Sequence, residues 1–178
     1  MNSYFNKIDK LNATRDPLPS RRNRDPREET SEFTRLFAFR AINMSTLQQI
    51  PANTTAKVLY PHIEFDLANE FNSAASTFIP ETRGVYSLTA SILFSPNNFN
   101  EGYRGRISIQ ANGHEVAANN DFFGANIKIK NIITVSTITQ LQREDIVEVF
   151  FISSVAGTIN LLDSITRFEG ARFPSPSI

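Results

Sequence analysis

No cysteine occurs among the 178 residues, which excludes a disulfide scaffold, a thiol nucleophile and any thiolate metal site. Tryptophan is also missing, and methionine occurs only twice. The chain lacks net charge, with 18 Lys and Arg against 18 Asp and Glu, so no overall field draws it to nucleic acid or to anionic lipid. No stretch of about 18 uninterrupted apolar residues is present, which argues against a transmembrane helix and membrane insertion. The opening Met1-Asn2-Ser3-Tyr4-Phe5-Asn6-Lys7 has none of the apolar centre of a classical secretion signal. His62 and His114 form no His-x-His or His-Glu-x-x-His arrangement, so no metal is expected on them. His62 follows Pro61 and reads as a loop residue, and His114 follows Asn112-Gly113 and reads as a hairpin-tip residue. No Gly-x-Ser-x-Gly frames a serine, and the seven glycines are too scattered to cradle a phosphate. A cupin-type enzyme would need clustered His and carboxylate ligands. With so little catalytic equipment, no enzymatic activity and no cofactor are expected.

What the chain does have is 40% hydrophobic content, with 15 Phe and 17 Asn, enough to build a core. From Phe33 onward its apolar residues recur with period two. Strands are expected at 36–42, 58–60, 63–65, 77–79, 85–94, 106–110, 127–142, 145–152 and 165–173. Asn112-Gly113 between two such runs is the strongest hairpin signal. Eight to ten strands separated by Asn, Gly, Pro and Ser, with no long helical pattern, predict an all-β jelly-roll sandwich over 35–178.

Residues 1–34 are different. They hold seven basic and six acidic residues, and Pro17, Pro19 and Pro26 oppose both helix and packed strand. The segment reads as an extended N-terminal arm. Near its start Tyr4, Phe5, Ile8 and Leu11 recur at spacings of three and four, which would put four apolar groups on one side of a short helix; the alternative is a strand anchored by Tyr4-Phe5. So short an element needs a docked partner either way. Arg21-Arg22-Asn23-Arg24 lacks interleaved aromatics and is flanked by Asp16, Asp25, Glu28 and Glu29, so it reads as a solubilising linker and not as a nucleic-acid patch. The Asn-x-Ser/Thr matches at Asn12, Asn43 and Asn53 carry weight only in a glycosylating compartment.

Three stretches, taken in order, resemble the globular-head family of complement C-one-q and tumour necrosis factor relatives. Phe78-Ile79-Pro80-Glu81-Thr82-Arg83-Gly84-Val85-Tyr86-Ser87-Leu88 is similar to that family's Phe, its six-residue step to Gly, and Gly-x-Tyr-x-apolar. Leu141-Gln142-Arg143-Glu144-Asp145-Ile146-Val147 is similar to Leu-x-x-Gly-Asp-x-Val, with Glu144 where the family has glycine. Thr166-Arg167-Phe168-Glu169-Gly170 resembles the closing Ser/Thr-x-Phe-x-Gly strand. No collagen-like stalk accompanies them. The resemblance covers 39–173 and implies a ten-stranded jelly roll, assembled as a homotrimer, that binds and builds without catalysing. Phe37, Phe39, Phe78, Gly84, Tyr86, Leu88, Phe168 and Gly170 are then expected in the fold core or in trimer packing, with Phe33 also considered for contacts between copies. Some family members bind calcium near the trimer axis, for which Glu144, Asp145 and Asp121 are the candidates; without Asp-x-Asp-x-Asp spacing, a solvated turn is the ordinary reading.

Two functions follow as expectations. The first is a structural subunit. Trimeric units would be joined head to tail through Tyr4, Phe5, Ile8 and Leu11 of the arm, and such contacts do not close and so give filaments. In the family's bacterial branch, similar heads build the exosporium and appendages of endospores, which implies a cell or spore surface and possible contacts with other spore-surface proteins. The second is a trimeric carbohydrate- or ligand-binding head of lectin or adhesin type. Its recognition surface would be the Asn-rich stretches 96–103 and 115–126, because loops at sandwich ends carry function.

Overall fold

The computed structural model describes residues 37–162 and 164–174. Tyr4, Phe5, Ile8, Leu11 and Phe33 lie outside the described residues. The chain runs through β1 (Ala38–Ile42), β2 (Gln48–Ile50), β3 (Ala56–Lys57), β4 (His62–Asp66), β5 (Phe71–Asn72), β6 (Thr77–Phe78), β7 (Gly84–Pro96), β8 (Tyr103–Ala111), β9 (His114–Phe123), β10 (Asn131–Leu141), β11 (Val147–Ser153), β12 (Gly157–Asn160) and β13 (Arg167–Arg172). No described residue is helical, so among the described residues no helix is long and apolar enough to cross a membrane.

All strand pairs are antiparallel, in two sheets. The first runs β2-β12-β7-β13-β1-β4, with β10 along the other side of β7. β13 covers the first half of β7 and β12 its end. The second sheet runs β5-β6-β11-β8-β9, with β3 also on β11. The two sheets form a jelly-roll sandwich. Alternation drives it: β11 buries every second residue, so Val147, Val149 and Phe151 enter the core while Glu148, Phe150 and Ile152 do not.

Phenyl rings fill the space between the sheets in place of the missing indoles. Phe39 stacks on Phe71 with centroids 5.0 Å apart, and Phe168 meets Phe39 edge-on at 5.1 Å and 84°. Phe37 stacks on Phe78 at 4.9 Å. A second cluster joins Phe94 to Tyr103 and Phe151. Tyr60 is wholly buried, its hydroxyl donating to the Ser91 carbonyl at 3.4 Å. Burial pushes that phenol's pKa far upward, the nearby Arg167 charge opposing it only in part.

Several expected boundaries shift. The segment 58–60 is not a strand, although the Val58 amide still donates to the Val149 carbonyl at 2.8 Å. His62 sits on β4 and not in a loop. The stretch 115–126 is mostly β9, so it is no recognition loop. β2, β5 and β12 carry no alternating signal long enough to read. Gly84 is the first residue of β7, where a Cβ would lie 2.8 Å from the Arg172 side chain. At Gly170 a Cβ would lie 2.8 Å from both Leu88 and Phe39, so that position closes only on hydrogen.

Some of the Asn has a backbone cause. Among the described residues, six non-glycine residues take positive φ, and four of them are Asn53, Asn69, Asn112 and Asn126, the residue type that tolerates the left-handed region best after glycine. Glu144 also takes φ 67°, a conformation a glycine would adopt without a Cβ penalty, so the glutamate carries the strain. Glu144→Gly is expected to stabilise the fold by about 1 kcal/mol and to raise Tm by roughly 2–4 °C. Differential scanning calorimetry checks this, and an unchanged or lower Tm would refute the strain.

Candidate self-association face

The outward face of the first sheet follows from the pairing register, since residues opposite one another share a side. One rung reads Ala38, Ala171, Ser87 and Ile138 across β1, β13, β7 and β10. The next reads Phe65 on β4, then Arg40, Glu169, Thr89 and Ser136. Beyond it the Ser91 hydroxyl donates to the Ile165 carbonyl and the Leu93 amide to Thr166 Oγ1 at 3.2 Å, so the loop before β13 covers that end of β7. The exposed centre is therefore paved with methyl and hydroxyl groups. It holds a shallow trough of 270 Å³ lined by Ala38, Phe65, Ser87, Thr89, Glu169 and Ala171.

Large apolar groups frame the trough. Ile138 is 65% exposed, and Ile132, Val85 and Phe65 are also open to solvent. The charges on this face cancel. Arg40 Nε lies 3.1 Å from Glu64 Oε2 and 3.6 Å from Glu169 Oε2, and Arg167 Nε lies 3.2 Å from Glu169 Oε1. Folded onto itself in this way, the network leaves the face neutral.

The outward face of the second sheet has another character. Arg106 makes a two-pronged pair with Glu115, both contacts at 2.7 Å, which holds the Glu115 carboxyl below its ordinary pKa. Lys57 Nζ lies 2.5 Å from Glu148 Oε1 and 2.8 Å from Thr77 Oγ1. Both faces carry paired charges, and the first also exposes isoleucine around small side chains.

The residues expected to matter divide clearly. Phe37, Phe39, Phe78, Tyr86, Leu88 and Phe168 are all buried inside the sandwich of a single chain. Of the two places expected for Phe37 and Phe39, fold core or trimer packing, their rings take the core, against Phe78, Phe71 and Phe168. The face residues Ser87, Thr89, Ser136, Ile132 and Ile138 were missed. For the two isoleucines the signal was legible, since β10 is β-branched on both sides, Ile133 and Val135 inward and Ile132 and Ile138 outward. A strand of that kind reads as covered on both faces.

The carboxylates considered for calcium do not converge. Asp121 stands opposite Gly105 on β8, whereas Asp145 is bonded by Asn112 next to the far end of that strand. Both Asp145 oxygens are engaged, by Asn112 Nδ2 at 2.8 Å and by the Gln142 amide at 2.7 Å. Among the described residues, no group of three or more His, Asp or Glu side chains is placed to hold an ion. Within 96–103, Asn98 donates to Glu101 at 2.6 Å and accepts from the Asn100 amide at 3.0 Å, so its amide braces its own turn. Asn43 is fully buried and caps the turn to Thr46, which removes it as a glycan acceptor.

Neither a known sequence family nor a curated protein matches the chain. Solved structures do. Murine APRIL at pH 5.0 superposes with a TM-score of 0.59 at 10% identity, over 78% of this chain and 99% of that one. The globular domain of zebrafish complement 1qA protein gives 0.53 at 13%, over 78% and 98%. Eiger TNF from S. frugiperda gives 0.55 at 8%, over 80% and 98%. The fold is that of the tumour necrosis factor and complement heads. The antiparallel two-sheet sandwich agrees with this likeness.

Proposed function

We propose that this head joins two further copies of itself through the outward face of the first sheet, giving a homotrimer. We propose further that the trimer is the non-enzymatic building unit of a surface fibre or appendage, joined to the next unit by residues 1–34, on a cell surface and in particular on bacterial spores. The observation that carries the trimer is the trough framed by Ile132, Ile138, Val85 and Phe65, on a face whose charges are internally paired. Exposed isoleucine around small side chains is costly to leave in water and cheap to cover with a like surface. The likeness to heads of the complement and tumour necrosis factor type supports self-association at this coarse level. Without cysteine, no disulfide of this chain holds such a fibre together.

The test is negative-stain electron microscopy with light-scattering mass on the full chain and on a variant carrying Tyr4→Ser, Phe5→Ser, Ile8→Ser and Leu11→Ser. Filaments from the natural chain and trimers of about 60 kDa, three chains of 20.0 kDa, from the variant are expected. Trimers from both chains would leave the trimer standing and refute the connector. A monomeric natural chain would refute both.

A further inference from the structure

Asn112-Gly113 is the only Asn-Gly pair in the chain. It forms the turn between β8 and β9, with both residues exposed and both at positive φ. Its hydrogen bonds lead to a different turn, the one between β10 and β11. Asn112 Nδ2 donates to Asp145 Oδ1 at 2.8 Å, and Asn112 Oδ1 accepts from the Ile146 amide at 2.8 Å. The Asn112 backbone amide donates to the Ile146 carbonyl at 2.9 Å. Asp145 closes the second turn with its other oxygen, which accepts from the Gln142 amide at 2.7 Å. That turn includes Glu144 at a φ of 67°, with its amide donating to the Pro80 carbonyl at 2.8 Å. One carboxamide therefore fastens the β8–β9 hairpin to a turn that carries backbone strain.

An asparagine ahead of a glycine can modify itself. The Gly113 backbone nitrogen loses its proton and bonds to the Asn112 side-chain carbon. The bond from that carbon to the amide nitrogen breaks, and this nitrogen takes up a proton and leaves as ammonia. Water then opens the cyclic imide at one carbonyl or the other, giving aspartate or isoaspartate. Glycine presents its nitrogen with no side chain in the way, and nothing lies within 4 Å of where a Gly113 Cβ would stand. We infer that Asn112 is such a modification site, held shut by its bonds to Asp145 and Ile146, and that its conversion to an acid opens this latch irreversibly. Ring closure needs Asn112 to leave the arrangement that makes those bonds, so the reaction proceeds from the opened turn. Afterwards the latch cannot re-form. An oxygen then replaces the donor Nδ2 opposite Asp145 Oδ1, and two carboxylates meet where a hydrogen bond stood. Isoaspartate adds a backbone carbon to the turn besides. The latch lies within a single head, so none of this depends on assembly.

Ageing the full chain tests the protection. The protein is held in mildly alkaline buffer, folded and in guanidinium chloride, and peptide mass spectrometry follows the exchange of amide for acid at Asn112. Conversion is expected to be slower in the folded chain by about tenfold or more, and Asp145→Ala is expected to speed it there by several-fold. Equal rates in the folded and unfolded chains would overturn the latch, and so would an Asp145→Ala chain that ages no faster than the natural one. No conversion even in the unfolded chain would remove the modification site outright. Melting curves test the release. Asn112→Asp is expected to melt about 3–6 °C lower than the natural chain. Adding Asp145→Asn is expected to restore most of that loss, because the exchanged pair again sets a donor amide against a carboxylate. An Asn112→Asp chain that melts with the natural one would overturn the release. A double variant no better than the single one would overturn it too, since the new acid would then not be meeting Asp145.

Discussion

A chain carrying Ser136→Arg and Ile138→Arg is expected to sediment as single 20.0 kDa molecules, with its melting temperature nearly unchanged. Both positions lie on β10 and are exposed in the isolated head, so the cost to the fold is within about 0.5 kcal/mol. In the assembled state the cost is much larger. Burying Ile138 contributes roughly 1.5–3 kcal/mol, and a guanidinium placed among Ala38, Ser87 and Thr89 meets no free carboxylate there, since Glu169 is already held by Arg40 and Arg167. An uncompensated buried charge costs about 3–5 kcal/mol. Every chain of a ring carries the change, so the penalties accumulate around it. Size-exclusion chromatography with light scattering decides the matter, and an unshifted mass would remove this face from the interface.

Phe168→Ala is expected to destabilise the head by about 3–5 kcal/mol, while Phe122→Ala leaves stability within about 0.5 kcal/mol. Phe168 has no exposed surface and touches three rings: edge-on to Phe39, edge-on to Phe71 at 6.1 Å, and tilted against Tyr60 at 5.9 Å. Truncation removes all three contacts and leaves a cavity that Gly170 and Leu88, fixed by their own close packing, cannot fill. Against a total stability of about 5–15 kcal/mol, that loss is a large share. Phe122, by contrast, stands in water. Urea denaturation of the two variants measures the difference, and equal midpoints would contradict the burial asymmetry.

The sheet class, the β7 and β10 strands and the Asn112-Gly113 hairpin were legible because period two and turn chemistry are local signals. At the hairpin, φ is 53° at Asn112 and 76° at Gly113, the mirror-image turn that suits twisted strands. β9 escaped because its Ala117-Ala118-Asn119-Asn120 centre has neither branched residues nor clean alternation. β2, β3 and β5 escaped because two or three residues cannot show a period. The trough escaped for a different reason: a row of Ala, Ser and Thr reads as an ordinary surface, and only the register reveals that four strands bring such residues side by side.

That register also sets the timing of synthesis. β1 opens the described head and β13 closes it, yet the two are neighbours, with Phe39 opposite Gly170 and Ala38 opposite Ala171. A nascent chain lacking β13 therefore holds the flanking strands of the face but not the strand that joins β1 to β7. Pairing so distant in sequence is slow, on the order of milliseconds to seconds, and it cannot begin until the last strand has emerged. On the assembly proposed above, chains on neighbouring ribosomes are thereby kept from joining too early, because the proposed face is complete only once β13 has paired with β1.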